Sequence, residues 1–131
     1  MIIFGIGTDI VNISRMDKTL RRRGSVFKNK IFSKREISYC ENKKNSSSYY
    51  AKRFAAKEAF SKALGTGIRK GVNLKNIEVY NDTNGKPFIS LKGNLSNFLK
   101  KKIKRKRYNI YLSLSDDKPW AQATVIISYN K

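Results

Sequence analysis

The chain has 131 residues, enough for one small domain that buries about two-thirds of its unfolded surface. Its 29 Lys and Arg against 9 Asp and Glu leave a net charge of +20, which calls for an anionic partner: nucleic acid, an acidic protein or a phosphate-rich small molecule. It has no histidine and a single cysteine, which excludes imidazole acid–base chemistry, a histidine-based nucleophilic triad, an ordinary zinc site and an internal disulfide.

Catalysis is then left to carboxylates, Lys, Tyr or a hard metal held by oxygen ligands. Part of the positive charge can also reflect the Lys-, Asn- and Ile-heavy composition that AT-rich coding produces. Ile2 to Val11 is rich in Ile and Val and reads as a strand. It has no basic leader and Asp9 interrupts it, so it does not read as a signal peptide. No apolar run approaches the roughly 20 residues that span a bilayer. A carboxylate inside such a strand needs a partner, because burying one unpaired is costly. Asp9 could pair with Arg15, cap the next helix, or share a divalent cation with a second carboxylate.

Asn12 or Ser14 can cap a helix whose polar face carries Arg15, Lys18, Arg21, Arg22 and Arg23. Ser33-Lys34-Arg35-Glu36 fits a capping box that opens a second helix through about Asn42. Cys40 falls in that helix as a half-buried residue, and a single free thiol suits a reducing cytosol. Asn45 to Ser48 reads as a polar break. Tyr49 to Leu64 has the strongest helical pattern, with Ala55/Ala56, Ala59/Phe60 and Ala63/Leu64 alternating with Lys57/Glu58 and Ser61/Lys62. That spacing predicts one buried and one wet face, ended by Gly65. Glu58 and Lys62 share a face and could simply form a surface ion pair. The Gly65-Thr66-Gly67 turn that follows leaves backbone N–H groups bare, and with nearby cations these can hold phosphate oxygens. The spacing is not that of a Walker loop. Asp9 and Glu58 with phosphate oxygens and water would complete a Mg²⁺ shell.

The second half reads as sheet. Ile77 to Tyr80 and Phe88 to Leu91 flank Asn84-Gly85, a hairpin signal. Asn94 to Lys104 is an amphipathic helix with a basic outer face. From Lys100 to Arg107 every residue except Ile103 is Lys or Arg. The simplest account is a solvated helix face, although such runs also bind nucleic acid. Tyr108 to Leu114 and Trp120 to Tyr129 are further strands, joined through Ser115 to Pro119. There is no internal repeat, linker or domain boundary, so residues 1–131 read as one α+β domain with an antiparallel sheet packed on the long helix at Tyr49 to Leu64.

Gly5-Ile6-Gly7-Thr8-Asp9-Ile10-Val11, Arg15, Arg53-Phe54-Ala55-Ala56-Lys57-Glu58-Ala59, Lys62-Ala63-Leu64-Gly65-Thr66-Gly67, Asn84-Gly85-Lys86-Pro87 and Leu112-Ser113-Leu114-Ser115-Asp116 occur in this order. Together they resemble the holo-acyl-carrier-protein synthases, the small 4′-phosphopantetheinyl transferases, over essentially the whole chain. The resemblance implies transfer of 4′-phosphopantetheine from coenzyme A to a serine of apo-acyl carrier protein. Adenosine 3′,5′-bisphosphate leaves, and the product serves fatty acid biosynthesis. It implies Mg²⁺ on Asp9 and Glu58, and a cytoplasmic homotrimer with coenzyme A between neighbouring subunits. Lys62 would stabilise the leaving phosphate, and Glu58, directly or through a metal-bound water, would be the base. Arg53, Lys62, Gly65 and Thr66 become candidates for the nucleotide phosphates. Arg15, Arg21 and Arg22 become candidates for docking the acidic carrier protein. Many members have His in a Ser-His pattern where this chain has Asp116, for which a turn or cap role is expected. Neither nucleic acid nor membrane is then expected as a partner; a basic nucleic-acid-binding module without catalysis is the alternative.

Overall fold

The computed structural model describes residues 1–65 and 72–131. The order of elements is β1 (Ile2–Asn12), α1 (Ile13–Ile31), α2 (Lys34–Glu41), α3 (Ser46–Leu64), a short 3₁₀ turn (Leu74–Asn76), β2 (Ile77–Asn81), β3 (Pro87–Leu91), α4 (Leu95–Ile103), β4 (Asn109–Asp117) and β5 (Trp120–Tyr129). β1, β5 and β4 form an antiparallel sheet in that order, and β2 pairs with β3 in a separate hairpin. The α+β class with antiparallel sheets is as the sequence implies.

Local signals place the ends of these elements. The Asn12 side chain accepts from the Arg15 N–H and starts α1. Ser33 and Glu36 form the reciprocal capping box of α2. Gly65 closes α3 in the left-handed conformation. In the hairpin, the Asp82 carboxylate accepts from the N–H groups of Asn84 and Lys86, and Gly85 takes the positive φ. Two boundaries and the course of one helix differ from expectation. α3 begins at Ser46, so most of the expected polar break is its first turn. β4 continues through Asp117, leaving only Lys118 and Pro119 to turn into β5. α1 bends at Gly24, whose φ of 57° and ψ of −137° depart from helical values and favour a residue without Cβ.

α3 is the centre of the core. Ala55, Ala56, Ala59, Phe60 and Ala63 pack against Ala123, Val125 and Ile127 of β5, and against residues of β2 and α4. A second cluster joins α1 through Met16, Leu20 and Phe27 to Phe32, Cys40 and Tyr50. Small residues let α3 lie directly on β1. A Cβ on Gly5 would stand 1.9 Å from the Ala63 carbonyl oxygen, and one on Gly7 1.9 Å from that of Ala59. The two glycines of the first strand are therefore contact points for the helix backbone. They set how closely the residues that follow, beginning with Asp9, approach α3.

The expected wet face of α3 narrows to Glu58 and Lys62: Lys57 and Ser61, also assigned to it, are buried with Arg53 and the alanines. Lys57 forms a fully buried ion pair with Glu36 at 2.7 Å and donates to the carbonyls of Leu74 and Ile77. The other Glu36 oxygen accepts from the Val79 N–H at 2.9 Å. A buried charge is tolerable only when paired and hydrogen-bonded in this way. This network fastens α2 and β2 to one side of α3 and leaves Glu58 on another. Cys40 is fully buried rather than half-buried, and desolvation pushes its thiol up to about 12. That makes it a packing residue with no appreciable thiolate at neutral pH.

Candidate active site

β1 and α3 run side by side, with Gly5 against Ala63 and Gly7 against Ala59. Continuing along the same face of β1 brings Asp9 level with the next turn of α3, which carries Glu58. Both carboxylates line one cavity of about 340 Å³, together with Asn12, Arg15, Thr19 and Phe54. The helix beyond Asn12 turns back over the strand end and supplies the Arg15 side of this cavity.

Glu58 is half-buried and its carboxyl is held above the ordinary range. Desolvation is the main cause; the neighbouring Asp9 charge adds to it, and the Lys62 ammonium opposes it. No ion pair among the described residues involves Glu58, whereas Asp9 has one. Lys62 Nζ lies 3.0 Å from Asp9 Oδ1 and also donates to the Thr8 carbonyl oxygen at 2.9 Å. The expected surface pair of Glu58 with Lys62 is thus replaced by one between Lys62 and Asp9. Asp9 neither pairs with Arg15 nor caps α1, a position that Asn12 holds.

Two like-charged carboxylates facing one cavity, one with raised proton affinity, suit a hard divalent cation that takes its remaining ligands from phosphate and water. Among the described residues no group of three or more His, Cys, Asp or Glu is placed to hold a metal. Any cation here would rely on substrate oxygens to complete its shell.

The remaining expected residues divide. Arg15 lines the cavity and is exposed, while Arg21 pairs with Asp17 at 2.8 Å and the exposed Arg22 has no ion-pair partner among the described residues. Arg53 is buried; it donates to Asn81 Oδ1 at 2.6 Å, and its guanidinium sits 4.1 Å from the Tyr39 ring centroid. It therefore ties the β2–β3 hairpin and α2 to α3 and does not line the cavity. The Gly65 N–H bonds to the carbonyls of Ser61 and Lys62, which occupies the donor that a phosphate would need. Thr66 lies outside the described residues. Asp116 belongs to β4 rather than to a turn; it pairs with Lys52 at 3.2 Å and accepts from Ser48 Oγ at 3.3 Å, fastening the strand to the first turns of α3.

The sequence pattern did not reveal the Lys57–Glu36 network. The capping box drew notice to Glu36, but nothing local shows that its carboxylate also reaches α3 and β2.

A strand carboxylate and a helix carboxylate line one cavity, and a lysine is bonded to the first of them, an arrangement whose chemistry suits a phosphate chain and a divalent cation. The profile of the 4′-phosphopantetheinyl transferase superfamily matches residues 5–123, and the chain belongs to that superfamily. It is 47% identical over 126 residues to the holo-[acyl-carrier-protein] synthase of Caulobacter vibrioides, covering 95% of each chain. It is 44% identical over 127 residues to that of Pelagibacter ubique, covering 97% of this chain and 98% of the relative. The fold superposes on the crystal structure of the Neisseria meningitidis synthase with a TM-score of 0.86 at 37% identity, covering 97% and 99% of the two chains. The Helicobacter pylori synthase, solved in complex with coenzyme A, gives 0.81 at 33% identity, covering 94% and 99%. No helix among the described residues is long and apolar enough to cross a membrane.

Proposed function

We propose that residues 1–131 form one transferase domain that moves 4′-phosphopantetheine from coenzyme A to a serine of apo-acyl carrier protein. It releases adenosine 3′,5′-bisphosphate and supports fatty acid biosynthesis in the cytoplasm. The observation that carries this reading is the convergence of Asp9, Glu58 and Lys62 where β1 meets α3. Similarity to named synthases over nearly the whole chain supports it.

Asp9 and Glu58 would hold Mg²⁺, which when bound neutralises charge on the diphosphate of coenzyme A. The serine oxygen forms a bond to the phosphorus nearer pantetheine. The bond from that phosphorus to the bridging oxygen breaks, and its electron pair leaves with adenosine 3′,5′-bisphosphate. Glu58, with its raised proton affinity, accepts the serine proton directly or through a water. Lys62, half-exposed and bonded to Asp9, stabilises the leaving phosphate as a point charge. Thr66 remains a candidate for the nucleotide phosphates, and the buried Arg53 and the capped Gly65 act in support. Arg15 at the cavity, with Arg21 and Arg22 further along α1, forms a basic face that suits an acidic carrier and mainly raises the association rate.

The sheet face turned away from α3 supports self-association. Ile6, Ile10, Tyr111 and Trp120 share that face and are 62%, 60%, 50% and 46% exposed. We assign this apolar face to a homotrimer interface, with coenzyme A in the cleft between neighbours. Light scattering after size exclusion should return three times the mass of the 15.1 kDa chain. Transfer is tested by incubating the protein with coenzyme A, Mg²⁺ and apo-acyl carrier protein. The carrier is expected to gain the mass of one phosphopantetheine group. No gain with a carrier that a known synthase can load refutes the proposal.

A further inference from the structure

The tract from Lys100 to Arg107 is not used by the transferase site. It covers the last turn of α4 and the approach to β4. Ile103 turns inward to the core, and its cationic neighbours stay at the surface. Pairing places Asn109 opposite Ser128, at the end of the sheet near Ile3, whereas Leu114 and Asp9 both flank Ala123. The span from Asn109 to Leu114 is roughly 17 Å at the usual strand rise, so the tract lies toward the far end of the sheet from the carboxylate pair.

Here the surface is concave. Lys100, Arg105, Lys106 and Arg107 line a cavity of about 810 Å³ that also presents the hydrogen-bonded hydroxyls of Ser96 and Tyr108. Lys100, Arg105 and Lys106 are shared with an adjoining depression of about 620 Å³ that adds Lys101 and Lys104. Through these shared residues the two form one continuous basic track that carries six cations from Lys100 to Arg107. No carboxylate among the described residues pairs with any cation of the tract. Lys104 holds a left-handed φ of 58° at the C-terminal cap, a position that favours glycine or asparagine. A cation therefore stands where the backbone prefers a different residue, in a row of like charges that repel one another.

We infer that this track binds single-stranded nucleic acid through consecutive phosphates. Its six cations exceed what one phosphate group needs, and its concavity suits a narrow strand rather than a flat bilayer. The half-buried Tyr108 hydroxyl is bonded to Ser96, the half-buried Tyr129 ring is already covered by the Arg105 guanidinium at 5.0 Å, and no fully exposed apolar side chain stands among the cations. Binding is accordingly electrostatic, with no base readout and no membrane insertion. This inference is independent of the transferase reading.

The test is fluorescence anisotropy with a labelled oligouridylate. The unmodified protein is expected to bind with a dissociation constant of about 10⁻⁴ to 10⁻⁶ M at physiological salt, and log K should fall against log salt with a slope of about −3 to −4 for four to six phosphates. A triple variant, Lys101→Gln with Lys106→Gln and Arg107→Gln, should lose at least about tenfold in affinity, with a slope shallower by about two units. All three side chains are exposed, so circular dichroism and transfer activity should be unchanged. A second variant, Lys18→Gln with Arg22→Gln and Lys30→Gln, removes the same charge from α1 and should bind as the parent does. Equal losses in both variants would show a response to net charge alone and overturn the inference. So would absence of oligouridylate binding, or binding of phosphatidylserine vesicles that the first variant loses while oligouridylate binding persists.

Discussion

Lys62 occupies ground that a cation would have to enter. Its ammonium bonds Asp9 at 3.0 Å and the Thr8 carbonyl at 2.9 Å, with the Lys62 side chain 56% exposed and that of Asp9 18% exposed. An ion pair this open contributes about 0.2 to 1 kcal/mol. A metal binding to Asp9 must give up that much, so Lys62→Met should tighten Mg²⁺ binding to the free protein by roughly 1.5- to fivefold. The same substitution removes the charge proposed to stabilise the leaving phosphate, and turnover should fall by about 10²- to 10³-fold. Opposite movements in the two quantities separate this account from simple damage to the site. Isothermal titration with Mg²⁺, or electron paramagnetic resonance with Mn²⁺ as the probe, reads the first; mass spectrometry of the carrier protein reads the second. Metal binding weakened or unchanged in Lys62→Met would refute the reasoning.

Glu58→Gln should abolish transfer while the fold survives, because the side chain keeps its volume. It also carries a stability signature. Glu58 binds its proton more tightly in the folded protein than at the ordinary value of 4.5. Its stabilising contribution is therefore complete below that value and is lost as pH rises through the raised one. Above this window the charged carboxylate opposes folding, so Glu58→Gln should match or exceed the parent in thermal midpoint at neutral pH without metal. The difference should shrink in acid. A variant that melts well below the parent at neutral pH would contradict the assigned environment. Gly7→Ala places a methyl group against the Ala59 carbonyl and should cost about 1 to 3 kcal/mol or more in urea unfolding. Unchanged stability would mean that β1 and α3 are not in close contact.

Much of the architecture was legible because its signals are local. Ser33 and Glu36 sit three residues apart, as a capping box requires, and Asn84-Gly85 permits the positive φ of a hairpin turn. Asp9 and Glu58 stood out because each is chemically out of place, one in an apolar strand and the other on a helix rich in cations. What failed was the assignment of faces on α3. A helical repeat of alternating apolar and polar pairs implies a wet side, yet Arg53 and Lys57 are covered by α2 and the β2–β3 hairpin. No local pattern shows that a lysine will find Glu36 and two carbonyls waiting for it.

From the sequence alone came the ends of most elements, the exclusion of imidazole chemistry and of an internal disulfide, and the choice of Asp9 and Glu58 as candidates. Only the tertiary structure decided that they face one cavity, that Lys62 belongs to Asp9, and that Gly5 and Gly7 exist to admit the helix backbone. Capping, turn geometry and periodicity act over a few neighbouring residues and leave their mark in order along the chain. Burial and ion pairing depend on groups that meet across the fold, such as Asp9 with Lys62 or Glu36 with Lys57, and the chain order carries no record of those meetings.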